Sequence, residues 1–281
     1  MGIGRRLARI GPHLTQKILA QSRAPECDPF TRSAHPPTAT VLPVTAEHAG
    51  LFPRQRPLLI AHRMGNSREH VDEAVAAGAD IVEADIHLYR RRLEVRHTKT
   101  LGVLPWLWDR WYLVPAADPR LTLAELAADL REDFLLMLDL KGWQPSHGHT
   151  VAAAMEAAAP GRPYIVSTGA WHMLAAFEPL PHVGIIHTIA DRRHAARIRW
   201  RLRHHRTDAI GVRRDLLADR GLASTVRELA PVVFTWPVNS HAAARDVLAR
   251  GANALIIDGP HLIADLAAQR RPGGGAGLSA R

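Results

Sequence analysis

Residues 56–100 read RPLLIAHRMGNSREHVDEAVAAGADIVEADIHLYRRRLEVRHTKT, and three apolar runs in this stretch carry ionisable residues at or near their ends. The run PLLIAH ends at His62, IVEADI holds Glu83 and Asp85, and LEVRH ends at His97. An alanine-rich segment with helical periodicity separates the first two runs. Strand, helix and strand in this order predict parallel strands joined by a crossover helix.

The same alternation continues towards the end of the chain. Nine segments have the composition of strands: PLLIAH, IVEADI, LEVRH, FLLMLDLK, YIVST, VGIIH, DAIGV, VVFTWPVN and ALIID. Between them lie segments with helical periodicity: 68–77, 122–132, 150–158, 169–177, 191–205, 215–228 and 240–249.

Only residues 88–92 separate the second run from the third, whereas a parallel crossover needs about a dozen residues. We therefore predict a hairpin-like excursion after the second strand, which leaves eight strands. The predicted fold is α/β, a (β/α)8 TIM barrel whose strands deliver their C-terminal ends to one mouth. A doubly wound sheet is disfavoured, because no Gly-x-Gly-x-x-Gly follows the first strand and polar residues end at least four strands.

The chain has 281 residues, of which 47% are hydrophobic, and this suits one large domain with tails. We assign residues 1–55 to an N-terminal extension, 56–270 to the barrel domain and 271–281 to a flexible tail. The extension holds five apolar residues at helical spacing. They predict either a surface helix on an anionic membrane or a frayed extension that caps the core; the five are Ile3, Leu7, Ile10, Leu14 and Ile18.

Composition excludes some classes of protein and site. No stretch approaches the ~20 apolar residues of a membrane span, and no uninterrupted apolar signal-peptide core is present. We expect a cytoplasmic protein, with peripheral membrane contact as an option. Cys27 is the single cysteine, so neither an intrachain disulfide nor a cysteine-cluster metal site can form. The net charge of +9 comes mostly from arginine, 33 of the 36 basic residues, which indicates composition bias and disfavours a nucleic-acid partner.

Three carboxylates follow the strand pattern. Glu83 and Asp85 are two residues apart on one strand and therefore point to the same face, among apolar neighbours where unpaired charges are costly. Asp139 ends the run FLLMLDLK in the same manner. Carboxylates without cysteines suit a hard cation, Mg²⁺ or alternatively Ca²⁺. The competing interpretation pairs these strand-end carboxylates with arginines.

His62 and His97 flank the carboxylates along the chain. A strand-end histidine is often structural. One imidazole on each side of a phosphate, however, is the arrangement that in-line phosphoryl transfer uses: one accepts a proton from the attacking hydroxyl and the other donates one to the leaving oxygen. In so arginine-rich a chain, Lys99 and Lys141 mark places where a compact ammonium is needed. We expect both lysines near the substrate.

Taken in order, several motifs resemble the glycerophosphodiester phosphodiesterase family, including its branch of sphingomyelinase D and phospholipase D toxins, over residues 56–267. Besides His97, the motifs are AHR at 61–63, GADIVEAD at 78–85, LDLK at 138–141, YIVST at 164–168, FTWPVN at 234–239 and GANALIIDGP at 251–260.

The resemblance implies a TIM barrel that cleaves phosphodiesters with Mg²⁺. It implies His62 and His97 as the acid/base pair, and Arg63 and Lys141 on the phosphate. Trp236 and Asn239 would line the mouth near the headgroup, where Trp236 could stack on a choline-like cation. The metal ligands it implies are Glu83, Asp85 and Asp139.

The chain departs from the family pattern in several places. Met64 follows Arg63, where the family has glycine, and the short first helix and the aspartate of LDLK follow the toxin-like branch. The segment after His97, TKTLGVLPWLWDRWYLVPAAD, matches neither group. It is either a lipid-facing lid or a plain hydrophobic cover over the barrel, and its aromatic residues are Trp106, Trp108, Trp111 and Tyr112.

Two further features allow two interpretations each. In residues 192–206, Ala195, Ile198 and Leu202 predict a helix that packs on the barrel and has a basic outer face, which either is solvated or contacts anionic lipid. Asp258, at the end of its strand, either approaches the site or caps the following helix.

The expected activity is cleavage of a glycerophosphodiester or lysophospholipid at the bond to the headgroup alcohol. The attacking hydroxyl would come from water or from the substrate itself, and the second route forms a cyclic phosphate, as in the phospholipase D-like branch. The alternative from another class is a non-catalytic barrel that binds anionic lipid or nucleic acid.

Overall fold

The computed structural model describes residues 51–52, 56–101, 104–109 and 112–270. The apolar series at residues 3–18, Cys27, Trp111 and the predicted tail at 271–281 lie outside the described residues.

Twelve strands occur in the described part of the chain. They are β1 (Leu58–Ala61), β2 (Ile81–Tyr89), β3 (Arg92–Val95), β4 (Lys99–Thr100), β5 (Trp106–Asp109), β6 (Tyr112–Pro115), β7 (Leu135–Leu140), β8 (Tyr164–Thr168), β9 (Val183–Ile189), β10 (Ala209–Arg213), β11 (Val233–Trp236) and β12 (Ala254–Ile257).

Seven α-helices alternate with these strands. They are α1 (Arg68–Ala76), α2 (Leu123–Ala128), α3 (Pro145–Ala158), α4 (Arg192–Arg201), α5 (Arg220–Leu229), α6 (His241–Ala249) and α7 (Pro260–Gln269). Short 3-10 helices span Met64–Asn66, Trp171–Phe177 and Leu216–Ala218. No helix within the described ranges is both long enough and apolar enough to cross a bilayer.

Eight of the strands form a closed parallel barrel in the order β1, β2, β7, β8, β9, β10, β11, β12. The closing contact is between β1 and β2, where Ile60 lies opposite Ile81 and Ala61 opposite Val82. The predicted (β/α)8 TIM barrel is confirmed. Its eight carboxyl ends meet at one mouth, and this brings residues from distant parts of the sequence together.

The hairpin predicted after the second strand is confirmed. β3 pairs antiparallel with β2, and Tyr89 lies opposite Arg92, so a two-residue turn of Arg90 and Arg91 joins them. Both turn residues have left-handed backbone angles, with φ of 47° and 67°. The segment after His97, for which no strand was predicted, forms a separate three-stranded antiparallel sheet of β4, β5 and β6.

Apolar side chains fill the barrel interior and the layer between strands and helices. The interior cluster includes Ile60, Ile81, Ile186 and Phe234, from four different strands. Phe52 joins this cluster, and its ring packs edge-on against Phe234 with centroids 5.8 Å apart. A residue that we assigned to the extension therefore belongs to the packed core.

Local signals set the helix ends. The Thr122 hydroxyl accepts a hydrogen bond from the Glu125 backbone, whose carboxylate in turn accepts one from the Thr122 backbone, so a capping box starts α2. Asp191 caps α4 through the His194 backbone. Ile198 on α4 is fully buried, as the helical spacing of residues 192–206 predicts.

Candidate active site

The predicted site residues lie at the carboxyl ends of the barrel strands, around two adjoining cavities. The first, the mouth cavity, enters the barrel mouth and has a volume of about 380 Å³. The second, of about 500 Å³, lies beside it towards α1 and α7. His62 and Arg63 line both cavities. They therefore stand at the point where the two cavities meet.

The three predicted carboxylates converge. Glu83 and Asp85 are almost fully buried on β2, and Asp139 on β7 lies directly opposite Asp85 in the strand register. One carboxylate oxygen from each residue lies within 4.8 Å of the others. Three acidic groups at this separation repel one another unless a cation lies between them.

Lys141 is the cation in contact with this cluster. Its Nζ lies 2.6 Å from Asp85 Oδ1 and also contacts Asp139 Oδ2. The nearest arginine group, Nε of Arg63, is 4.0 Å from Asp85. The competing interpretation was that arginines pair with these carboxylates. Among the described residues, Lys141 makes the close contacts instead.

Neutral groups complete the cluster. The Asn66 amide donates to Asp85 Oδ2 at 2.9 Å, and its carbonyl oxygen accepts from the Asp85 backbone at 2.8 Å. Ser167 on β8 donates to Asp139 Oδ1 at 3.0 Å. These bonds fix the directions of the carboxylates, as supporting residues do around bound metal ions.

Burial and mutual charge shift the ionisation of the cluster. Burial, reinforced by the negative charge of Asp85, raises the pKa of Glu83 well above its usual value. Burial opposes ionisation of Asp85, but the hydrogen bond from His97 and the charge of Lys141 outweigh it and hold that pKa below its usual range. Burial disfavours the Lys141 ammonium, but Asp139 and Asp85 outweigh it and raise the Lys141 pKa. One ammonium leaves part of the negative charge uncompensated, so the oxygen ligands fit a divalent hard cation.

A strained backbone holds Glu83 from the other side. Arg63 adopts a left-handed conformation with φ of 60°, and its backbone N–H donates to Glu83 Oε2 at 2.6 Å. Two residues later, a Cβ atom on Gly65 would lie 2.8 Å from both the Ala84 side chain and the Glu83 carbonyl. Position 65 therefore has no room for a side chain. Met64 stands directly after Arg63, and the glycine follows at the next position. Strain of this kind concentrates at functional sites.

His62 follows β1, and its ring is held from behind. Nδ1 bonds Oδ1 of Asp258, whose other oxygen accepts from the Asn239 amide at 2.5 Å. The His62 hydrogen bond is the main cause that lowers the pKa of Asp258 to about 2. Asp258 is therefore an anion that engages Nδ1 of His62 and leaves Nε2 as the second nitrogen of the ring. The residue that caps α7 is Gly259, not Asp258.

His97 lies two residues after β3. Its Nδ1 is 3.3 Å from Asp85 Oδ2, and its Nε2 is 3.8 Å from Oδ1 of Asp109 on β5. His97 lines the second cavity together with His62 and Asp258. The structure thus brings both predicted histidines to one cavity, next to the carboxylate cluster.

Of the remaining predicted residues, Trp236 lines a cavity of the site, whereas Lys99 does not. Trp236, at the end of β11, lines the mouth cavity with Phe234 and Gly211. The Asn239 amide is occupied by Asp258. Lys99 lies on β4 with its ammonium 5.4 Å from the centre of the Trp108 ring, and it is not among the lining residues of either cavity. Its contact with substrate stays a prediction.

Three residues around the cluster had no assigned role in the sequence analysis. Asn66 and Ser167 were not considered, and Asp258 was left open between two roles. The only local signal for each is a polar residue at or after a strand end.

No family model matches the chain, and no curated protein matches it at a significant level. Solved structures do match. A glycerophosphodiester phosphodiesterase from Thermotoga maritima is similar with a TM-score of 0.59 and 18% identity, over 75% of this chain and 99% of that one. A phosphodiesterase from Oleispira antarctica, in complex with its product sn-glycerol-3-phosphate, gives 0.56 and 18%, over 75% and 96%. A glycerophosphodiester phosphodiesterase from Parabacteroides distasonis gives 0.56 and 16%, over 76% and 99%.

The chain has the fold of these proteins. The predicted resemblance to glycerophosphodiester phosphodiesterases is therefore confirmed for the fold, across the whole barrel. The resemblance to the sphingomyelinase D branch stays a prediction.

Proposed function

We propose that this chain is a metal-dependent glycerophosphodiester phosphodiesterase that cleaves a glycerophosphodiester or a lysophospholipid at the bond to the headgroup alcohol. The observation that carries the proposal is the convergence of three carboxylates, two of them buried, next to two histidines that line one cavity. A barrel that only bound anionic ligands would need cations at its mouth, and the acid/base pair would serve no purpose.

The two histidines are suited to move protons. The bond from Asp258 to Nδ1 of His62 fixes the ring and directs Nε2 towards the cavity. His97 is held by Asp85 on its Nδ1 side. In the proposed reaction one imidazole accepts the proton of the attacking hydroxyl while the other protonates the leaving oxygen.

The residues that would hold the metal are Glu83, Asp85 and Asp139. Mg²⁺ is the ion we propose, with Ca²⁺ as the alternative, because the ligands are all oxygens. When bound, such an ion offsets the negative charge of the phosphate in the transition state. Lys141 and Arg63 border the same cavity and would bind the phosphate oxygens directly.

The mouth cavity would accept the organic part of the substrate beside the phosphate. Its lining combines polar strand ends with buried apolar side chains from inside the barrel. Trp236 supplies an aromatic face on which a cationic headgroup such as choline could stack. The product bound to the Oleispira antarctica protein, sn-glycerol-3-phosphate, supports glycerol on one side of the phosphate.

Two details support an enzyme over a non-catalytic binder. The basic helix α4 that such a binder would use is partly engaged within the fold: Arg199 pairs with Glu228 at 2.8 Å, and Arg201 bonds His187 and the Trp171 carbonyl. One ion pair and two hydrogen bonds therefore engage two of its cations and remove them from a free binding face.

Phosphorus NMR of the purified chain tests the proposal, with glycerophosphocholine and lysophosphatidylcholine as separate substrates. We expect Mg²⁺-dependent conversion of at least one substrate. The product signal then distinguishes hydrolysis by water from attack by the substrate's own hydroxyl, because a five-membered cyclic phosphate is well separated from a monoester. Absence of product from both substrates would contradict the proposal.

A further inference from the structure

We infer that one rim of the barrel mouth binds the surface of a phospholipid bilayer that contains anionic lipid. This rim surface consists of Trp106, Trp108, Leu113, Trp143, Arg90 and Arg91. Lipid binding at this surface would bring the proposed enzyme to a source of substrate. The expected effect on catalysis rests on the proposed function, whereas the binding itself does not.

The first part of the rim surface is the outer face of the sheet formed by β4, β5 and β6. Cross-strand register places Trp108 opposite both Leu113 and Lys99, and Trp106 opposite Pro115. Residues two apart share a face, so Trp106 and Trp108 lie on the same side. The exposed fraction is 43% for Trp106, 37% for Trp108 and 58% for Leu113.

The inner face of this sheet is also apolar. Leu107 lies between the two tryptophans and is fully buried. A half-buried antiparallel sheet ordinarily places apolar residues inside and polar residues outside. This sheet has apolar residues on both faces. The exposed apolar residues of its outer face are therefore typical of a surface that contacts another molecule.

The sheet is fixed beside the site. β4 begins two residues after His97, and Asp109 at the end of β5 lies 3.8 Å from His97 Nε2. Whatever contacts the outer face of the sheet is consequently held next to the proposed acid/base pair.

Trp143 forms a second exposed apolar point at the mouth. It follows Lys141 by two residues, after the end of β7, and 77% of its side chain is exposed. Arg90 and Arg91 line a shallow crevice together with Gln144 and Ser146, the residues that follow Trp143. The residues next to Trp143 in sequence thus lie beside the two arginines.

The turn of Arg90 and Arg91 projects beyond the barrel. The last residue of β2 that pairs with β7 is Ile86. The three strand residues after it, at about 3.3 Å each, carry the turn roughly 10 Å past that pair. Among the described residues neither arginine of the turn takes part in an ion pair.

The chemistry of this turn is unfavourable for folding. Two-residue hairpin turns with positive φ at both central positions favour Asn-Gly, because a side chain in the left-handed region costs free energy. Two consecutive arginines at such positions therefore place two cationic side chains at the tip of the turn at a cost to folding.

A bilayer with anionic lipid fits all of these features. Tryptophan side chains sit at the level of the lipid headgroups, and arginine near such a surface is attracted to the negative charge. A second copy of this chain fits poorly, because it would bring the arginines of two chains carrying +9 each together. Docked in this way, the barrel mouth opens towards the lipid headgroups.

Vesicle flotation of the full chain tests this inference, with vesicles of phosphatidylcholine alone and of phosphatidylcholine mixed with phosphatidylglycerol. We expect binding to the mixed vesicles and little to the neutral ones. Replacing Trp106→Ser together with Trp143→Ser should weaken binding by roughly tenfold, since apolar area is lost. Trp200→Ser is the matched control: Trp200 is 62% exposed but lies near the end of α4, away from the mouth.

A second variant separates binding from folding. Arg90→Asn with Arg91→Gly installs the preferred turn and should raise the midpoint of thermal unfolding, yet it should weaken binding to anionic vesicles by roughly 10- to 30-fold, at about 1 kcal/mol per arginine. If the wild-type chain ignores anionic vesicles, or if both rim variants bind as the wild type does, the inference is wrong.

Activity measurements add a separate arm. The rim variants should retain wild-type rates on glycerophosphocholine and lose rate on lysophosphatidylcholine embedded in mixed vesicles. If the wild-type chain cleaves neither substrate, the proposed function fails, and flotation still decides whether the rim surface binds lipid.

Discussion

Asp258 and His62 lie 196 residues apart in the sequence and are bonded in the folded chain. In the proposed reaction this bond decides which nitrogen of the imidazole acts, because the occupied Nδ1 leaves Nε2 for the substrate. Asn239 extends the chain of hydrogen bonds by a further residue. The pair has the order of an acid, a histidine and a free ring nitrogen, but the Asp258 side chain is 46% exposed, whereas the acid of a Ser-His-Asp triad is buried.

Asp258→Asn should lower kcat on glycerophosphocholine by at least about tenfold, because an amide neither stabilises the imidazolium nor selects the same tautomer. KM should change less than kcat, since Asp258 is proposed to act through its bond to His62. Steady-state kinetics measure both constants. An unchanged kcat would show that Asp258 has no influence on His62.

Asp139→Asn should weaken Mg²⁺ binding by roughly tenfold or more, because one of the three proposed anionic ligands becomes neutral. Isothermal titration calorimetry measures this affinity. Asp215→Asn serves as the control, since Asp215 is an exposed residue paired with Arg213. Equal affinities of the two variants would exclude Asp139 as a ligand.

Individual residues were predictable where the pattern was local. Glu83 and Asp85 share a strand face, so their convergence follows from the two-residue repeat of a strand. The contacts of Asn66 and Asp258 could not be predicted in the same way. They depend on where the first turn and the last strand come to lie, which is known only after the barrel has closed.

At the scale of elements, the strands of the barrel were predictable because each is a short apolar run bounded by turn residues. The sheet of β4, β5 and β6 was not. Its strands are two to four residues long, and β5 and β6 have apolar residues on both faces, so no clear alternation marks them.

Close packing between α3 and the 3-10 helix Trp171–Phe177 gives a test at this scale. A Cβ atom on Gly148 of α3 would lie 2.2 Å from the Met173 carbonyl oxygen. Gly148→Ala should therefore reduce the free energy of unfolding by about 1 to 3 kcal/mol, through overpacking. Urea denaturation measures the change.

Gly169→Ala is the matched control for that substitution. A Cβ atom on Gly169 would lie 3.8 Å from the His194 ring, which is an ordinary van der Waals distance. Its effect should stay within roughly 1 kcal/mol. If both variants lost the same stability, close packing at Gly148 would not be the cause.

At the scale of the whole molecule, closure of the barrel also buries histidines that are not part of the site. His187 on β9 is fully buried, accepts a hydrogen bond from Arg201 at Nε2 and contacts Thr207 through Nδ1. Burial, with the charge of Arg201, lowers the pKa of His187 to about 3. Burial likewise lowers the pKa of His147 to about 4.

Acid should therefore destabilise the fold through these groups. Below the usual histidine value of about 6.5, the unfolded chain binds protons that the folded chain cannot, so stability falls with decreasing pH. His187→Gln should make the slope of stability against pH shallower by up to about 1.4 kcal/mol per unit between pH ~6.5 and ~4.5.

Urea denaturation at several pH values measures these slopes. The control is His149→Gln, because His149 is exposed on α3 and meets solvent in both states. Its slope should match that of the wild type. A wild-type slope in His187→Gln would show that His187 does not titrate on unfolding.

The most direct test of the central claim is the rate of glycerophosphocholine cleavage after the metal has been removed by chelation and Mg²⁺ has been returned. We expect the wild-type chain to be inactive after chelation and active again with Mg²⁺. His62→Ala and His97→Ala, treated identically, should remain slower by on the order of 10² to 10⁴. Full activity after chelation, or equal rates in the wild type and both histidine variants, would contradict a single metal-dependent site built from these residues.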